Sequence, residues 1–351
     1  MKRFLKILSL VLAFVMIPFI LPSCGDEEIP EFVIPMRNLV DTTQHTEGVY
    51  KYMVFDDNTA VIIEHTGNET EIVIPETLGG YKVSTIGTSA FYANANVTSV
   101  TMPAGLETIG SSAFNGCMKL ETINIPESVW EICADAFTDT PWLQSHANEE
   151  FVVVGDSVLL QYNGNAVSLT IPDNIKHIGP AFIGNEVIKS IVVPDGVYTI
   201  GHAAFAGSSI SRVELGNTVA LIGNSAFNAC LELYSINMPD SLKRIEAYAF
   251  GSCSGLNYIK IGKNVEYIGD YAFSRASQLN YIYLPKSLAS VESGNKYDEE
   301  EIKSIGDFAF EDCGSLVYVF FEGTQAEFDN LGLNGSNSYL SDAERVYDYE
   351  Y

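Results

Sequence analysis

The sequence predicts a repeat solenoid, a coil of short units stacked so that each covers the next. Three observations predict it. First, an Ala-Phe pair returns nine times, at Phe91, Phe114, Phe137, Phe182, Phe205, Phe227, Phe250, Phe273 and Phe310. Second, successive phenylalanines lie 23, 23, 45, 23, 22, 23, 23 and 37 residues apart, a fixed period with two departures. Third, one unit of this length cannot bury its own apolar face, whereas stacked units bury one another.

Each unit repeats one internal order: Ile-Gly-x-x-Ala-Phe, a small residue three positions on, Leu-x-x-Ile-x-Ile-Pro, then Val-x-x-Ile. In the second copy these are Leu120, Ile123, Ile125, Pro126, Val129 and Ile132. Apolar alternation at 123 and 125 predicts a strand with one buried face. Pro103, Pro126, Pro172, Pro194, Pro239 and Pro285 end that strand, because a residue without an N–H cannot continue a ladder. Gly87, Gly110, Gly179, Gly201, Gly223, Gly269 and Gly306 are expected to permit a turn before the Ala-Phe segment. The interval of 45 is two periods with one copy eroded, and residues 140–164 take its place as a variant rung. The interval of 37 holds one period plus an insertion near 289–302, which carries the acidic run Asp298 to Glu301.

"IGSSAFNGCMKLETINIPESV" (109–129) and "IGNSAFNACLELYSINMPDSL" (222–242) resemble the leucine-rich repeats of the BspA type, found in surface proteins of host-associated bacteria. The resemblance runs from about Tyr50 to Tyr347. It implies a right-handed leucine-rich-repeat-like coil with a parallel β-sheet on one face, and it implies adhesion to host or neighbouring-cell components. The solenoid is expected over 76–321. Its ends need covers, since a bare terminal rung exposes apolar surface and unpaired strand groups. Residues 47–75 alternate like a β-hairpin and are expected to cap the first rung, and residues 322–351 form an irregular C-terminal cap.

The first 23 residues have the layout of an export signal: Lys2, Arg3 and Lys6, then an apolar run from Ile7 to Leu21. Leu21-Pro22-Ser23-Cys24 resembles a bacterial lipobox, which implies lipidation at Cys24 and a lipid anchor as the only membrane contact; Pro22 departs from the small residue usual there. Asp26, Glu27 and Glu28 loosely resemble the acidic stretch that marks some lipoproteins for surface display. Residues 24–46 read as an extended tether. The net charge of −26 falls to −29 once the three basic leader residues leave. Such a surface repels phosphate, so nucleic acid is excluded as a partner.

Of the five cysteines after Cys24, four stand three places after a repeat phenylalanine. That column reads Asn94, Cys117, Thr140, Asn185, Ser208, Cys230, Cys253, Ala276, Cys313. Its members are small, and most can hydrogen-bond. A ladder of buried side chains, each supporting its own turn, explains these thiols better than a disulfide framework does. Cys230 and Cys253, on neighbouring rungs, are the one pair placed to bridge.

Nothing in the sequence assembles a catalytic constellation. His45, His65, His146, His177 and His202 have no metal-ligand spacing, and neither a nucleophile elbow nor a phosphate-binding loop occurs. No cofactor is expected. Asp56-Asp57-Asn58 reads as a hairpin turn rather than a calcium loop. The informative surface is the outward strand face. Rung by rung it carries Ser99 and Thr101, Thr122 and Asn124, Ser168 and Thr170, Ser190 and Val192, Arg212 and Glu214, Ser235 and Asn237. It then turns aromatic with Tyr258 and Lys260, Tyr281 and Tyr283, Tyr318 and Phe320. Stacked at about 4.8 Å, these six residues form two columns. Such a patch is either cross-strand reinforcement or a recognition surface for a host or bacterial surface protein or glycan. The sequence therefore leads to a non-enzymatic cell-envelope binding protein. A structural envelope scaffold without a ligand, and a carbohydrate-active accessory or hydrolase, are the alternatives.

Overall fold

The computed structural model describes residues 37–289 and 304–350, apart from 41, 332 and 334. Cys24, the export segment and residues 290–302 of the insertion lie outside the described residues. The described chain is a β-solenoid, and its coils stack through two parallel ladders rather than one. The first is the expected sheet: Ser168–Thr170, Ser190–Val193, Arg212–Leu215 and Ser235–Ile236 pair in parallel with Ser190 opposite Arg212 and Arg212 opposite Ser235. Tyr258–Lys260, Tyr281–Leu284, Tyr318–Phe321 and Glu344–Val346 continue the pattern as a second parallel set. The additional ladder uses two residues per coil, such as Thr199–Ile200, Leu221–Ile222 and Arg244–Ile245. Here the isoleucine is buried at every step, while the residue before it is buried at Thr199 and Leu221 and half-buried at Arg244.

The phenylalanines form the axis of the core. Phe182, Phe205, Phe227, Phe250, Phe273 and Phe310 stack at 4.9, 5.0, 5.2, 5.1 and 5.3 Å with near-parallel rings, each almost fully buried. Phe91, Phe114 and Phe137 stack likewise at 4.8 and 5.7 Å. Rung spacing sets these distances, because a parallel sheet places equivalent residues about 4.8 Å apart.

The repeat glycines serve a different purpose from the one expected. None of the seven has positive φ. They are small because backbones pass close to one another: a Cβ on Gly110 would lie 2.7 Å from the Thr88 amide nitrogen and 2.8 Å from the Gly87 carbonyl carbon. Left-handed backbone falls two residues later and again four residues beyond that, as at Ser112 (φ 55°) and Gly116 (φ 74°), or Ser225 (57°) and Ala229 (59°). Each such non-glycine residue costs roughly 1–2 kcal/mol, offset by the turn it closes.

At the N-terminus, Tyr50–Val54 and Thr59–His65 form an antiparallel hairpin, and the second strand then pairs in parallel with Tyr81–Ile86. Asp57 accepts from the Thr59 N–H at 3.0 Å and Thr59 hydroxyl at 2.6 Å, and Asn58 is left-handed, so the Asp-Asp-Asn stretch builds the hairpin turn. The end of the segment read as a tether belongs to the fold. His45–Glu47 adds an edge strand to the hairpin, and Arg37 reaches Asp57 and Glu107 at 2.6 Å each.

The variant rung holds a helix, Pro141–Ser145, and a second hairpin, Phe151–Val154 with Val158–Tyr162. Thr140 caps the helix, accepting from the Leu143 N–H at 3.1 Å. The hairpin repeats the N-terminal one. Val61 to Pro75 and Val158 to Pro172 run in step, with Ile62 matching Leu159, His65 matching Tyr162 and Gly67-Asn68 matching Gly164-Asn165. Both hairpins carry a register shift at the same place, between Lys51 and Tyr52 and between Val152 and Val153. Ile62 pairs with Ile86 as Leu159 pairs with Ile178. Each ends in a ring that takes the phenylalanine position: His65 stacks 5.0 Å from Phe91, and Tyr162 lies 5.4 Å from Phe182. Buried side chains accordingly fall into two clusters, Tyr52 to Leu160 and Leu159 to Leu340. The chain is thus two solenoid blocks, each opened by its own cap.

Candidate functional site

The six predicted surface residues come together on the last rungs of the sheet. In register, Tyr258 lies opposite Tyr281 and Tyr281 opposite Tyr318, while Lys260, Tyr283 and Phe320 form the adjacent column. Inward residues Ile259, Ile282 and Val319 are buried, which fixes the alternate side chains outward. Tyr281 and Tyr318 stack at 5.8 Å, and Tyr283 and Phe320 at 4.6 Å. Tyr258 is 58% exposed and Tyr281 39%.

The two columns are not equally open. Tyr349, from the chain's C-terminal segment, packs against Tyr283 at 5.1 Å and Phe320 at 5.5 Å. Burial, then the neighbouring tyrosines, raise the Tyr283 phenol above its ordinary range. The exposed aromatic face is therefore Tyr258 and Tyr281, with half-buried Tyr318 stacked beside Tyr281 and Lys260 at the edge. Tyr349 was missed because it follows the last repeat and has no periodic signal. A further aromatic column was also missed: Tyr248, Tyr271 and Phe308 stack at 4.8 and 5.0 Å on the turns, all with left-handed backbone. Their position, just before the repeat alanine, holds Ser89, Ser112 and Ser225 in other units, so the same column comparison would have found them.

The ladder column is assembled, with three roles instead of one. Asn94 and Asn185 support their own turns, their Oδ1 accepting from Asn96 and Val97, and from Val187 and Ile188. Thr140 donates to the Phe137 carbonyl at 2.7 Å within its own rung. The thiols bridge rungs: Cys117, Cys230, Cys253 and Cys313 donate to the carbonyls of Phe91, Phe205, Phe227 and Phe273 at 3.2, 3.0, 3.1 and 3.2 Å. Ser208 contacts Cys230 at 3.5 Å. All four thiols are free and buried. Burial pushes Cys117 and Cys230 up to about 11 and Cys313 up to about 12.

Other polar groups are scattered. His65 and His202 are pulled below the ordinary imidazole value by burial. His146 pairs with Glu149 at 2.8 Å. Glu131, in the two-residue ladder, is pushed up to about 7 by burial and by Glu246. Among the described residues, no group of three or more His, Cys, Asp or Glu side chains is placed to hold a metal ion.

A solenoid of 22- to 23-residue coils, stacked through parallel ladders with a phenylalanine at the axis of each coil, defines a repeat protein of the leucine-rich class. The chain belongs to the BspA type leucine rich repeat family, which matches in six copies over residues 64–186 and 180–296. Among solved structures, it is similar to a leucine-rich repeat protein of Bacteroides ovatus at 23% identity, covering 83% of this chain and 71% of that one with a TM-score of 0.40. It is similar to a leucine rich cell surface protein of Faecalibacterium prausnitzii at 23% identity, 84% and 99% coverage and a TM-score of 0.32. It is also similar to the pneumococcal vaccine antigen PcpA at 16% identity, 88% and 99% coverage and a TM-score of 0.39. No curated protein matches the chain.

Proposed function

We propose that the protein is a non-enzymatic binding protein of the bacterial cell envelope, exported and lipid-anchored at Cys24. It presents the tyrosine face of its sheet to a protein or glycan of a host or neighbouring cell. The observation that carries this reading is the change along one face. Small polar residues occupy the outward positions of the early rungs, and Tyr258, Tyr281 and Tyr318 occupy them at the end, with Tyr258 and Tyr281 exposed. Tyrosines offer contact area and a hydroxyl at low entropic cost, which suits recognition. A column kept for sheet stability alone would be covered, as Tyr349 covers Tyr283 and Phe320. That second column therefore serves structure.

The test uses a glycan array and an extracellular-matrix panel, probed with the wild type and with Tyr258→Ser/Tyr281→Ser/Tyr318→Ser. Loss of a wild-type signal, with the melting temperature lowered by only a few degrees, supports the reading. Unchanged binding in a destabilised variant assigns all the aromatics to structure.

A further inference from the structure

The joint between the two blocks leaves main-chain donors open. In the regular Ala-Phe turns, alternate amides donate to the next coil, three per turn except where Pro180 lacks the first. Ser89, Phe91 and Ala93 donate to the carbonyls of Ser111, Ala113 and Asn115 at 2.9, 2.8 and 2.8 Å. Ser112, Phe114 and Gly116 donate to Ala134, Ala136 and Thr138 at 3.0, 2.8 and 2.9 Å. At the other end of the solenoid, the C-terminal cap supplies side-chain acceptors: Ser336 Oγ takes the Phe308 amide and Asn337 Oδ1 the Phe310 amide, both at 3.3 Å. The equivalent amides of Asp135, Phe137 and Asp139 have no partner among the described residues. Their turn is otherwise regular, with φ of 58° at Asp135 and 61° at Asp139, so the three amides face the same way as their counterparts.

Asp135 and Phe137 line a hollow of about 350 Å³, together with Thr138, Tyr162, Ala181 and Ile183, and Asp139 follows at its edge. Beside this turn, the Ala134 amide donates to His202 Nδ1 at 3.5 Å. On the far wall, the Ile183 carbonyl stands where Asn115 stands in a regular coil and takes no amide. Phe137 is 1% exposed, so its N–H is reached only through the hollow.

Donors on one wall and an acceptor on the other match the two edges of a single peptide. The carboxylates of Asp135 and Asp139 flank the donors and repel an anionic acceptor, which leaves neutral carbonyls with basic side chains beside them. We infer that the joint takes one short basic peptide segment of a partner. Its alternate carbonyls accept from Asp135, Phe137 and Asp139, and its cationic side chains pair with the two carboxylates. This site is independent of the tyrosine face.

The test is amide hydrogen exchange on the full mature chain, with acetyl-Lys-Val-Lys-Val-Lys-amide and its glutamate counterpart as probes. In the free protein, the amides of 135, 137 and 139 exchange about tenfold or more faster than those of 112, 114 and 116. The lysine peptide at millimolar concentration slows them about tenfold, and the glutamate peptide does not. Ile183→Trp, which fills the hollow, removes the effect. Asp135→Asn with Asp139→Asn, which keeps residues tolerant of left-handed backbone, weakens it. Exchange in the free chain as slow as at 112, 114 and 116 overturns the inference, as does equal slowing by both peptides or slowing by neither.

Discussion

Replacing Phe227 by alanine tests the stacked core most directly. Phe227 is fully buried, with its ring 5.0 Å from Phe205 and 5.2 Å from Phe250. Truncating a buried phenylalanine costs about 3–5 kcal/mol, and the value depends on how far the site can collapse. Here collapse is hindered. The coils on either side are held by two parallel ladders and by turn bonds, Phe227 to Ala249 at 2.8 Å and Phe205 to Ala226 at 2.7 Å. Two aromatic contacts, each worth about 0.5–1.5 kcal/mol beyond area burial, disappear as well. The loss therefore lies near the top of the range, about 4–5 kcal/mol by urea denaturation, a large share of the roughly 5–15 kcal/mol a domain possesses. Because each coil touches only its neighbours, hydrogen exchange should rise most between residues 204 and 250 and little between 60 and 110. A loss below about 1.5 kcal/mol, or a uniform rise across the chain, would refute the account of the core as a continuous stack of nearest-neighbour contacts.

The thiol ladder predicts that Cys117, Cys230, Cys253 and Cys313 resist alkylation in the native protein at neutral pH, whereas Cys133 lies outside the ladder and is only partly buried. After denaturation without reductant, all five should be modified in the mature chain, and a disulfide-linked mass would contradict this. Ala229, left-handed where Gly116 and Gly207 hold the same turn position, should become glycine with a gain of up to about 1 kcal/mol in denaturant titration. Glu131 has a raised native pKa, so its contribution is present in full below the ordinary carboxylate value of 4.5 and disappears as pH rises through about 7. The wild-type melting temperature should fall across that window more than that of Glu131→Gln, and parallel pH profiles would contradict the assignment.

The stack, the sheet and the tyrosine columns were legible because each depends on a position recurring in register. Once Phe205, Phe227 and Phe250 align, everything at a fixed offset from them aligns too, including Tyr258, Tyr281 and Tyr318. The two-residue ladder was not legible, since Thr199-Ile200 or Leu221-Ile222 is too short to carry a period of two. The glycines misled for a related reason. A turn requirement and a close approach demand the same absent Cβ, and only the distance from Gly110 to the Gly87 backbone separates them. The bridging thiols, too, were placed in the right column but given the wrong acceptor. A column position says which residues are level, not whether a side chain reaches its own turn or the one before.

The internal hairpin escaped notice because its period differs from that of the coils. His65 and Tyr162 do the work of a phenylalanine, and neither belongs to an Ala-Phe pair. Its recurrence has an energetic consequence. In a one-dimensional stack, each coil gains stability from both neighbours, and a cap ends that sequence of couplings. A cap in mid-chain therefore divides the cooperative unit. Core side chains cluster on either side of Leu159 and Leu160, and the amides of Asp135, Phe137 and Asp139 lose the coil that would have received them. The tyrosine face lies wholly in the second block and the open amides at the end of the first. A substitution that weakens the early coils should therefore impair the peptide site without disturbing Tyr258 and its neighbours.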